Sequence, residues 1–382
     1  MKNLRRFTLD KRSQDEEKVQ FDIEFLKQEI GLRFPFYDMR IQKDHVAFFC
    51  QMEKSTENVQ FDNLRRSLSS QGYIPLLRHE HGEDIIYVIR KPRRKEKSSL
   101  VNIILLIATI ITTVLTGSLL NIGVNDLQSL DNMMAVLYPE NLFSGMFFFS
   151  FPLLSILVIH EMGHYFVSKK HGIHTSLPFF IPIPPILPGF NIGTFGALIS
   201  SHDPMPNKKA LFDVGISGPL AGFLVAVPVT IIGLLSSELV EVASVAEGEI
   251  ILGSSLLFEL LSMAFISIPE GYALTLNPIA FAGWIGLLIT SINLLPAGQL
   301  DGGHIFRSIL GDKQKYAGYI AVFVMIFTGW VFFAILIIFL IGLNHPPPLN
   351  DEGTLDVKRK LLFIVAILIL VLCYIPYPIL SL

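Results

Sequence analysis

The chain has 382 residues, of which 51% are hydrophobic and only 16% are charged, and its mean hydropathy is +0.52. This composition excludes an ordinary soluble domain and indicates a polytopic membrane protein. The formal net charge of -3 points to no class of partner, because the charges are unevenly distributed along the chain. The two cysteines, Cys50 and Cys373, lie in unlike regions, so we expect neither a disulfide framework nor a thiolate metal site.

Residues 1–98 differ in character from the rest and predict a small α+β domain followed by a basic linker. Two segments have the pattern of helices, Val19–Ile30 and Phe61–Ser70. Two pairs of short apolar segments, each joined by a polar turn, predict two β-hairpins, and the order suggests a domain with two similar halves. The predicted strands are Tyr37–Ile41 with Val46–Met52, and Ile74–Arg78 with Ile85–Ile89.

The two ends of this domain bear on its location, and nothing in its sequence resembles a catalytic set. The first twenty residues are strongly charged and lack an apolar core, so no cleavable signal peptide is expected. The basic linker Lys91–Lys97 leads directly into an apolar helix, which favours a membrane-boundary role and argues against nucleic acid as a partner. We expect a fragment of about residues 1–95 to fold alone and to have a regulatory or substrate-recruiting role, with a regulatory partner of its own. A passive folding module is the alternative.

Hydropathy predicts a membrane region over residues 99–382, with about six transmembrane helices. The apolar stretch Ile250–Ile268 contains Glu259, so we interpret it as an interfacial or re-entrant helix, with a full crossing as the alternative. The fifth predicted span is long enough to form two half-helices instead. The six predicted spans are Leu100–Asn121, Leu142–Val167, Val214–Leu235, Pro278–Leu295, Tyr316–Leu343 and Leu361–Ile379.

The distribution of basic residues predicts a multi-pass protein of the cell membrane whose N-terminal domain is cytoplasmic. Basic residues precede the first span, and Lys169 and Lys170 follow the second, whereas the two predicted outer loops contain acids but no Lys or Arg. One basic group disagrees, because six simple spans would place residues 358–360 outside.

The most specific motif is His160-Glu161-Met162-Gly163-His164, which follows an uncharged apolar run. On a helix, His160 and His164 share a face, so their imidazoles can hold one Zn²⁺ while Glu161 acts as a general base on water. Ionisable residues at membrane depth are costly and usually mark function. The sequence therefore predicts a hydrolytic zinc site inside the membrane.

A catalytic zinc ion needs a third protein ligand, and the best candidate is Asp301. It lies at the inner end of the fourth predicted span, at a depth similar to that of the histidines. The Pro and Gly residues around it break the helix, which is tolerated at membrane depth only where the backbone is buried or lines a wet cavity. Asn293 could donate a hydrogen bond to the substrate carbonyl as negative charge develops.

Each of these residues has a structural alternative. Asp301 could cap the following helix, and Asn293 could form an interhelical hydrogen bond. His304 could support the ligands or mark the membrane boundary, and it is the next candidate ligand if Asp301 is not one. Three histidines in a connecting loop are not expected to bind metal: His171, His174 and His202.

The two motifs together resemble those of the site-2 protease family of intramembrane zinc metalloproteases. H-E-x-x-H lies on one predicted membrane helix, and N-L-L-P-A-G-Q-L-D-G-G-H, residues 293–304, lies on a later one. The segments G-T-F-G-A at 193–197 and G-I-S-G-P-L-A-G at 215–222 are also similar to that family. The resemblance covers roughly residues 100–380 and is nearest to the archaeal, bacterial and chloroplast branch with a cytoplasmic N-terminal domain.

The resemblance implies a function and a set of roles. His160, His164 and Asp301 would bind zinc, Glu161 would be the base, and Asn293 would lie near the scissile carbonyl. The implied reaction is hydrolysis of peptide bonds within or near transmembrane segments of membrane-protein substrates, in the lipid bilayer, as in regulated intramembrane proteolysis. Two other classes stay open: a zinc transporter, which needs ligands along a path across the membrane, and a non-catalytic scaffold, which would tolerate changes at Glu161.

A proline-rich apolar segment, Leu177–Gly189, separates the second and third predicted spans. Proline forbids a regular helix, so this segment cannot be a further span. We predict a re-entrant or interfacial loop that dips toward the zinc site. The following segment, Phe195–Ile199, could be extended and offer its edge to an unwound substrate by strand addition. A static plug that seals the cavity is the alternative.

Overall fold

A computed structural model describes residues 21–92, 99–122, 134–185, 192–201, 203–242 and 251–380. The chain divides into two compact units. The first falls within Met1–Lys95, Pro204–Leu211 and Pro346–Leu355, and the second takes the remainder. The domain boundary near residue 98 stays a prediction, and two later segments join the N-terminal region in the first unit.

The described residues of the first unit form a four-stranded antiparallel sheet and two helices. Its order of helix, hairpin, helix and hairpin confirms the predicted small α+β fold, and the strands lie in the order β1-β2-β4-β3. Within the first predicted helix, residues 19 and 20 lie outside the described part of the chain. The elements are α1 Ile23–Gly31, β1 Phe36–Ile41, β2 His45–Cys50, α2 Glu57–Ser70, β3 Tyr73–Glu80 and β4 Glu83–Arg90.

The apolar faces of the two helices form one core with the sheet. Leu26 and Ile30 are four residues apart on α1, and Leu64 and Leu68 are four apart on α2, so each pair lies on one face. All four side chains are fully buried in a cluster with apolar residues of the strands. The 3.6-residue period in the helices therefore determines which side of each helix meets the sheet.

The later segment Pro346–Leu355 completes this core at the edge of β3. Leu349 is 2% exposed and belongs to the same cluster. Its carbonyl accepts hydrogen bonds from the backbone N–H of Leu77 and from Arg78 Nη1, each at 2.8 Å. The outer edge of β3 is therefore paired along part of its length instead of being left to water.

Side chains next to Leu349 extend this attachment. Asn350 Nδ2 donates to Glu57 Oε1 at 3.1 Å and to Asn58 Oδ1 at 3.2 Å. Asp351 forms an ion pair of 3.7 Å with Lys208, which belongs to the other added segment. The first unit thus joins three separate parts of the chain through hydrogen bonds as well as apolar burial.

The second unit is mainly helical, and three helical stretches among the described residues are long and apolar enough to cross a membrane. These are Ser99–Ile122, Pro139–Lys170 and Lys208–Leu235, which match the first three predicted spans. The helices are α3 Ser99–Ile122, α4 Pro139–Ser144, α5 Phe151–Lys170, α6 Lys208–Leu235, α7 Leu256–Phe265, α8 Pro278–Asn293, α9 Asp301–Leu310, α10 Gln314–Phe327, α11 Val331–Leu336 and α12 Val357–Cys373, with π-helical turns at Gly145–Ser150 and Ile337–Ile341 and a 3-10 turn at Gly311–Lys313. Its short strands are β5 Phe179–Pro182, β6 Thr194–Leu198, β7 Glu238–Glu241, β8 Ile251–Leu252, β9 Tyr272–Thr275 and β10 Ile379–Leu380.

The remaining predicted spans are shorter or interrupted, so a count of six stays a prediction. The fifth breaks into α10 and α11 at Gly329, whose φ of +78° suits glycine, and this is the two-helix alternative. Helix α7 has 10 residues and is about 15 Å long, half of the hydrocarbon thickness. That length favours the interfacial interpretation of Ile250–Ile268 over a full crossing.

The segment between α5 and α6 forms a β-hairpin. Strands β5 and β6 pair antiparallel, with Phe179 opposite Leu198, which confirms that residues 194–198 are extended. Helix α3 supports this hairpin: Asn102 Nδ2 donates to the Leu177 carbonyl at 2.6 Å, and Thr112 Oγ1 donates to the Gly193 carbonyl at 2.7 Å. Residues 186–189 of the predicted loop lie outside the described residues, and the entry of the loop into the membrane stays a prediction.

Replacing Leu349 by Ala should destabilise the first unit by about 2 to 3 kcal/mol, because it opens a cavity in a closed core. Cys50 can report this change, since it is 3% exposed and burial raises the pKa of its thiol to about 12. We expect the alkylation rate of Cys50, followed by peptide mass spectrometry, to rise about 30- to 150-fold. Val357→Ala, at a site 71% exposed, is the control. Equal rates in both variants would show that Leu349 does not stabilise this unit.

Candidate metal centre

His160 and His164 point the same way from α5. They are four residues apart, about one helical turn, and both residues are buried, with 4% and 8% exposed. Their Nε2 atoms are 3.3 Å apart. The two histidines therefore share one helix face, as predicted, and each directs its Nε2 atom at the same point.

Asp301 supplies a third donor atom from a distant part of the sequence. Its Oδ2 lies 3.3 Å from His160 Nε2 and 3.2 Å from His164 Nε2. Leu300 is the N-cap residue of α9, and Asp301 follows it as the first helical residue, so the carboxylate is directed at the imidazoles and not at the helix end. Asp301 is therefore not the N-cap residue of this helix, which was the structural alternative for it.

The three donor atoms form a nearly equilateral triangle, with sides of 3.2 to 3.3 Å. In a tetrahedral zinc site with bonds of about 2.0–2.1 Å, neighbouring ligand atoms are about 3.3 Å apart. Two imidazole nitrogens and one carboxylate oxygen are also donors that zinc accepts. The residues therefore fit a zinc ion, with one tetrahedral position left over.

The imidazole of His164 is held from its other side by the backbone of α6. Its Nδ1 donates to the carbonyl of Val214 at 2.7 Å. That bond places the proton on Nδ1 and leaves the lone pair of Nε2 free for a metal. Val214 thus selects the tautomer that a ligand needs.

Three glycines allow the helices to approach this closely. A Cβ at Gly218 would lie 2.0 Å from His164 Nε2, and a Cβ at Gly222 would lie 3.1 Å from His160 Nδ1. On the facing helix, a Cβ at Gly163 would lie 2.6 Å from the carbonyl of Ser217. Small residues at such positions are the usual means of close helix packing in membranes. They also leave room for the two imidazoles.

The turn that carries Asp301 is irregular, and its backbone groups are satisfied inside the protein. Gln314, which is 1% exposed, donates from Nε2 to the carbonyl of Pro296 at 2.7 Å and to that of Leu343 at 3.1 Å. A Cβ at Gly302 would lie 2.0 Å from the carbonyl of Leu294, so the start of α9 packs directly on the preceding turn. This agrees with the rule that broken helices at membrane depth are buried in protein.

Glu161 and Asn293 lie beside the triangle. Glu161 is 7% exposed, and its Oε1 is 4.0 Å from His160 Nε2, farther than the Asp301 oxygen. Asn293 is the last residue of α8, and its Nδ2 is 3.3 Å from His160 Nε2. All five residues that the sequence singled out therefore meet in one place.

The other histidines have different surroundings. His304 Nδ1 is 3.0 Å from the carbonyl of Leu300, and its ring packs at 4.3 Å against that of His345. His171 and His174 each pair with a carboxylate, Asp213 at 2.9 Å and Asp203 at 2.7 Å. His202 lies outside the described residues.

Sequence reasoning missed the groups that support the ligands. The Val214 carbonyl carries no signal, since any residue has one. Gln314 could have been noticed as an amide in an apolar stretch, but its partners lie 18 and 29 residues away. Gly215, Gly218 and Gly222 belong to a segment that resembles the family. The steric reason for these glycines becomes visible only when the facing helix is present.

Comparison with known proteins agrees with this geometry. Residues 148–337, which contain the whole site, match the model of Peptidase family M50. The chain is 30% identical over 246 residues to "Probable zinc metalloprotease EGY1, chloroplastic" of Oryza sativa subsp. japonica, covering 59% of this chain and 40% of that protein. It is 32% identical over 230 residues to "Probable zinc metalloprotease EGY2, chloroplastic" of Arabidopsis thaliana, covering 58% and 40%. No solved structure matches the chain.

The site and the family match point to the same group of proteins. Residues 148–337 belong to Peptidase family M50, the site-2 protease group, as the paired motifs indicated. Its relatives are zinc proteins by name, and the donor triangle fits Zn²⁺ as the cofactor. The chain spans about two fifths of the length of these two relatives.

Gly218→Ala should lower zinc occupancy strongly, because the new methyl group would occupy the position of the His164 imidazole. Gly222→Ala should have a smaller effect, since its methyl group meets His160 at 3.1 Å and a slight shift relieves the contact. Zinc per chain, measured by elemental mass spectrometry on purified protein, should fall in that order. Wild-type occupancy in both variants would mean that α6 does not confine the imidazoles.

Proposed function

We propose that the protein is an intramembrane zinc metalloprotease of the HExxH type, which hydrolyses peptide bonds within or near transmembrane segments of membrane-protein substrates. The observation that carries the proposal is the buried donor triangle of His160, His164 and Asp301 in a unit with three membrane-length apolar helices. Regulated intramembrane proteolysis is the process that such a site would serve.

The metal would be held by His160 Nε2, His164 Nε2 and Asp301 Oδ2, the three atoms of the triangle. When bound, zinc supplies a Lewis acid that polarises a carbonyl group and lowers the pKa of water. Three protein ligands leave one position open, the arrangement of catalytic zinc sites as opposed to structural ones. With one carboxylate among its ligands, the ion would keep a net positive charge, which would favour a nearby developing oxyanion.

Glu161 would be the general base. Its carboxylate is next to the ligands, but at 4.0 Å from His160 Nε2 it stands outside the triangle. It is therefore placed to take a proton from water and to give it to the amine nitrogen as the peptide bond breaks. Its burial excludes bulk water, which would otherwise weaken the electrostatic interactions of the site.

Asn293 would bind the oxygen of the scissile carbonyl. Its Nδ2 points at His160 Nε2, but that nitrogen cannot accept a hydrogen bond while its lone pair binds a metal. The amide N–H is then available to the substrate oxygen as it gains negative charge. Its place at the end of α8 keeps the amide beside the donor triangle.

A helical substrate must unwind before it reaches this site, because its carbonyls accept hydrogen bonds within the helix. Strand β6 offers a surface for the unwound segment, with Phe195 78% and Leu198 64% exposed. Among the described strands, β5 is the one that pairs with β6. The other edge of β6 could therefore receive a substrate strand. A static plug is the competing role for the hairpin.

The setting of the reaction is part of the proposal. The apolar helices support association with a lipid bilayer, and the basic residues around the first two spans support a cytoplasmic N-terminal domain in the cell membrane. The two relatives described above are chloroplast proteins by name, and that location is a property of those relatives. The first unit holds no catalytic set among its described residues, and we assign it a regulatory role with a partner of its own.

Glu161→Gln should keep the metal and lose cleavage by at least about 100-fold, because it removes a general base and leaves the three donor atoms in place. Zinc content and cleavage of a model transmembrane peptide should be measured on the same purified sample, with a chelator control. Glu259→Gln, at an exposed residue of α7, is the matched control and should cleave normally. Normal cleavage by Glu161→Gln would refute the assigned base, and loss of zinc would make Glu161 a structural residue.

Asp301→Ala and Asn293→Ala should fail in different ways. The first leaves two protein ligands where three are usual, so zinc occupancy should drop together with activity. The second should retain zinc and lower kcat by roughly 100-fold, the typical cost of one oxyanion donor. Full zinc in Asp301→Ala would place the third ligand elsewhere, with His304 next in line. Zinc loss in Asn293→Ala would give Asn293 a packing role.

A further inference from the structure

A second polar cluster lies beside the metal centre and takes no part in the chemistry above. Asp213, in the second turn of α6, accepts a hydrogen bond on Oδ2 from His171 Nε2 at 2.9 Å. Arg359 donates from Nε to Oδ1 at 2.7 Å and from Nη2 to Oδ2 at 2.5 Å. His171 caps the C-terminus of α5, and Arg359 lies in the first turn of α12. One carboxylate therefore ties the ends of three helices.

Asp213 and Arg359 form an ion pair with the geometry of a strong interaction. A guanidinium that meets a carboxylate through two N–H groups has both a fixed direction and charge assistance. Asp213 and Arg359 are about one-fifth exposed, so water screens the pair less than on an open surface. Arg359 also bonds Asp356, the N-cap residue of α12, which fixes the position of its own helix end.

The cluster adjoins the group that orients a metal ligand. Asp213 immediately precedes Val214, whose carbonyl accepts the Nδ1 proton of His164 at 2.7 Å. A hydrogen bond weakens steeply as its length and angle depart from the optimum. A small slide of α6 along α5 would therefore release the imidazole, so the axial register of these two helices has to be held.

Small residues make the contact between α5 and α6 near the site. Gly163 on one helix faces Ser217 on the other, and Gly218 faces the His164 ring. A directional hydrogen bond fixes the relative position of two helices more narrowly than contacts of small residues do. The bond from His171 to Asp213 joins these two helices and therefore adds such a constraint.

We infer that Asp213, bonded to His171 and Arg359, is a positioning residue that sets the register of α6 against α5 and so keeps His164 aimed at the metal. This inference rests on the proposed function. It also explains the basic residues 358–360, because Arg359 is bonded to Asp213, and Asp213 is bonded to His171, which directly follows Lys169 and Lys170. The start of α12 is therefore linked to the basic end of α5, and residues 358–360 agree with the distribution of the other basic residues.

The test uses the full-length protein in detergent, stripped of metal, with Co²⁺ alone as the probe. Asp213→Asn keeps the shape of the side chain and removes its charge. We expect its Co²⁺ affinity to fall roughly 10- to 100-fold, the usual effect of disturbing a group that orients a ligand, with an altered ligand-field absorption spectrum. Asp203→Asn is the matched control, since it disturbs the pair with His174 and should leave the affinity and spectrum unchanged.

A second variant guards against a folding defect. Arg359→Lys keeps a positive charge but loses the two-fold hydrogen bond, so its Co²⁺ affinity should fall less than in Asp213→Asn, and the effects of the two changes should not add. Wild-type affinity and spectrum in both variants, with only a lower melting temperature, would overturn the inference while leaving the proposed function intact. A wild-type protein that binds no Co²⁺ would overturn the proposed function and this inference together.

Discussion

The close approach of α5 and α6 is the constraint on which the site depends. Two imidazoles can share one metal only if the facing helix leaves them room, and Gly218 and Gly222 provide that room. The same approach brings the Val214 carbonyl within 2.7 Å of His164 and thereby chooses the tautomer. Glycine thus does more than reduce bulk: it allows a backbone atom of one helix to orient a ligand of another.

A second constraint is that backbone groups away from water must find partners within the protein. The turn between α8 and α9 brings Asn293 and Asp301 to the metal centre, but it does so by leaving carbonyls without helical partners. The side-chain amide of Gln314 donates hydrogen bonds to two such carbonyls, that of Pro296 in this turn and that of Leu343 after the following helices. An irregular backbone is tolerated here because a side-chain amide from another helix replaces the missing hydrogen bonds.

The first unit meets the same requirement at the edge of its sheet. Its sheet would expose the edge of β3, yet the chain returns to cover that edge with Leu349 and Asn350. Leu349 also enters the apolar core, so that part of the hydrophobic stabilisation depends on a residue more than 250 positions later. Later segments of the chain therefore complete the first unit, although the secondary structure of its N-terminal part is encoded locally.

Local patterns in the sequence determined much of this protein. Apolar runs predicted the three long helices, short apolar segments joined by polar turns predicted the hairpins of the first unit, and the four-residue spacing of His160 and His164 placed both on one face. Three features were decided by the tertiary structure alone. The side chain of Asp301 points at the two imidazoles instead of capping its helix. Leu349 completes the core of the first unit, and Asp213 bonds to the ends of two other helices. The physical reason is that periodicity records what a residue does within its own helix or strand, whereas hydrogen bonds and close packing between distant segments depend on where the whole chain folds.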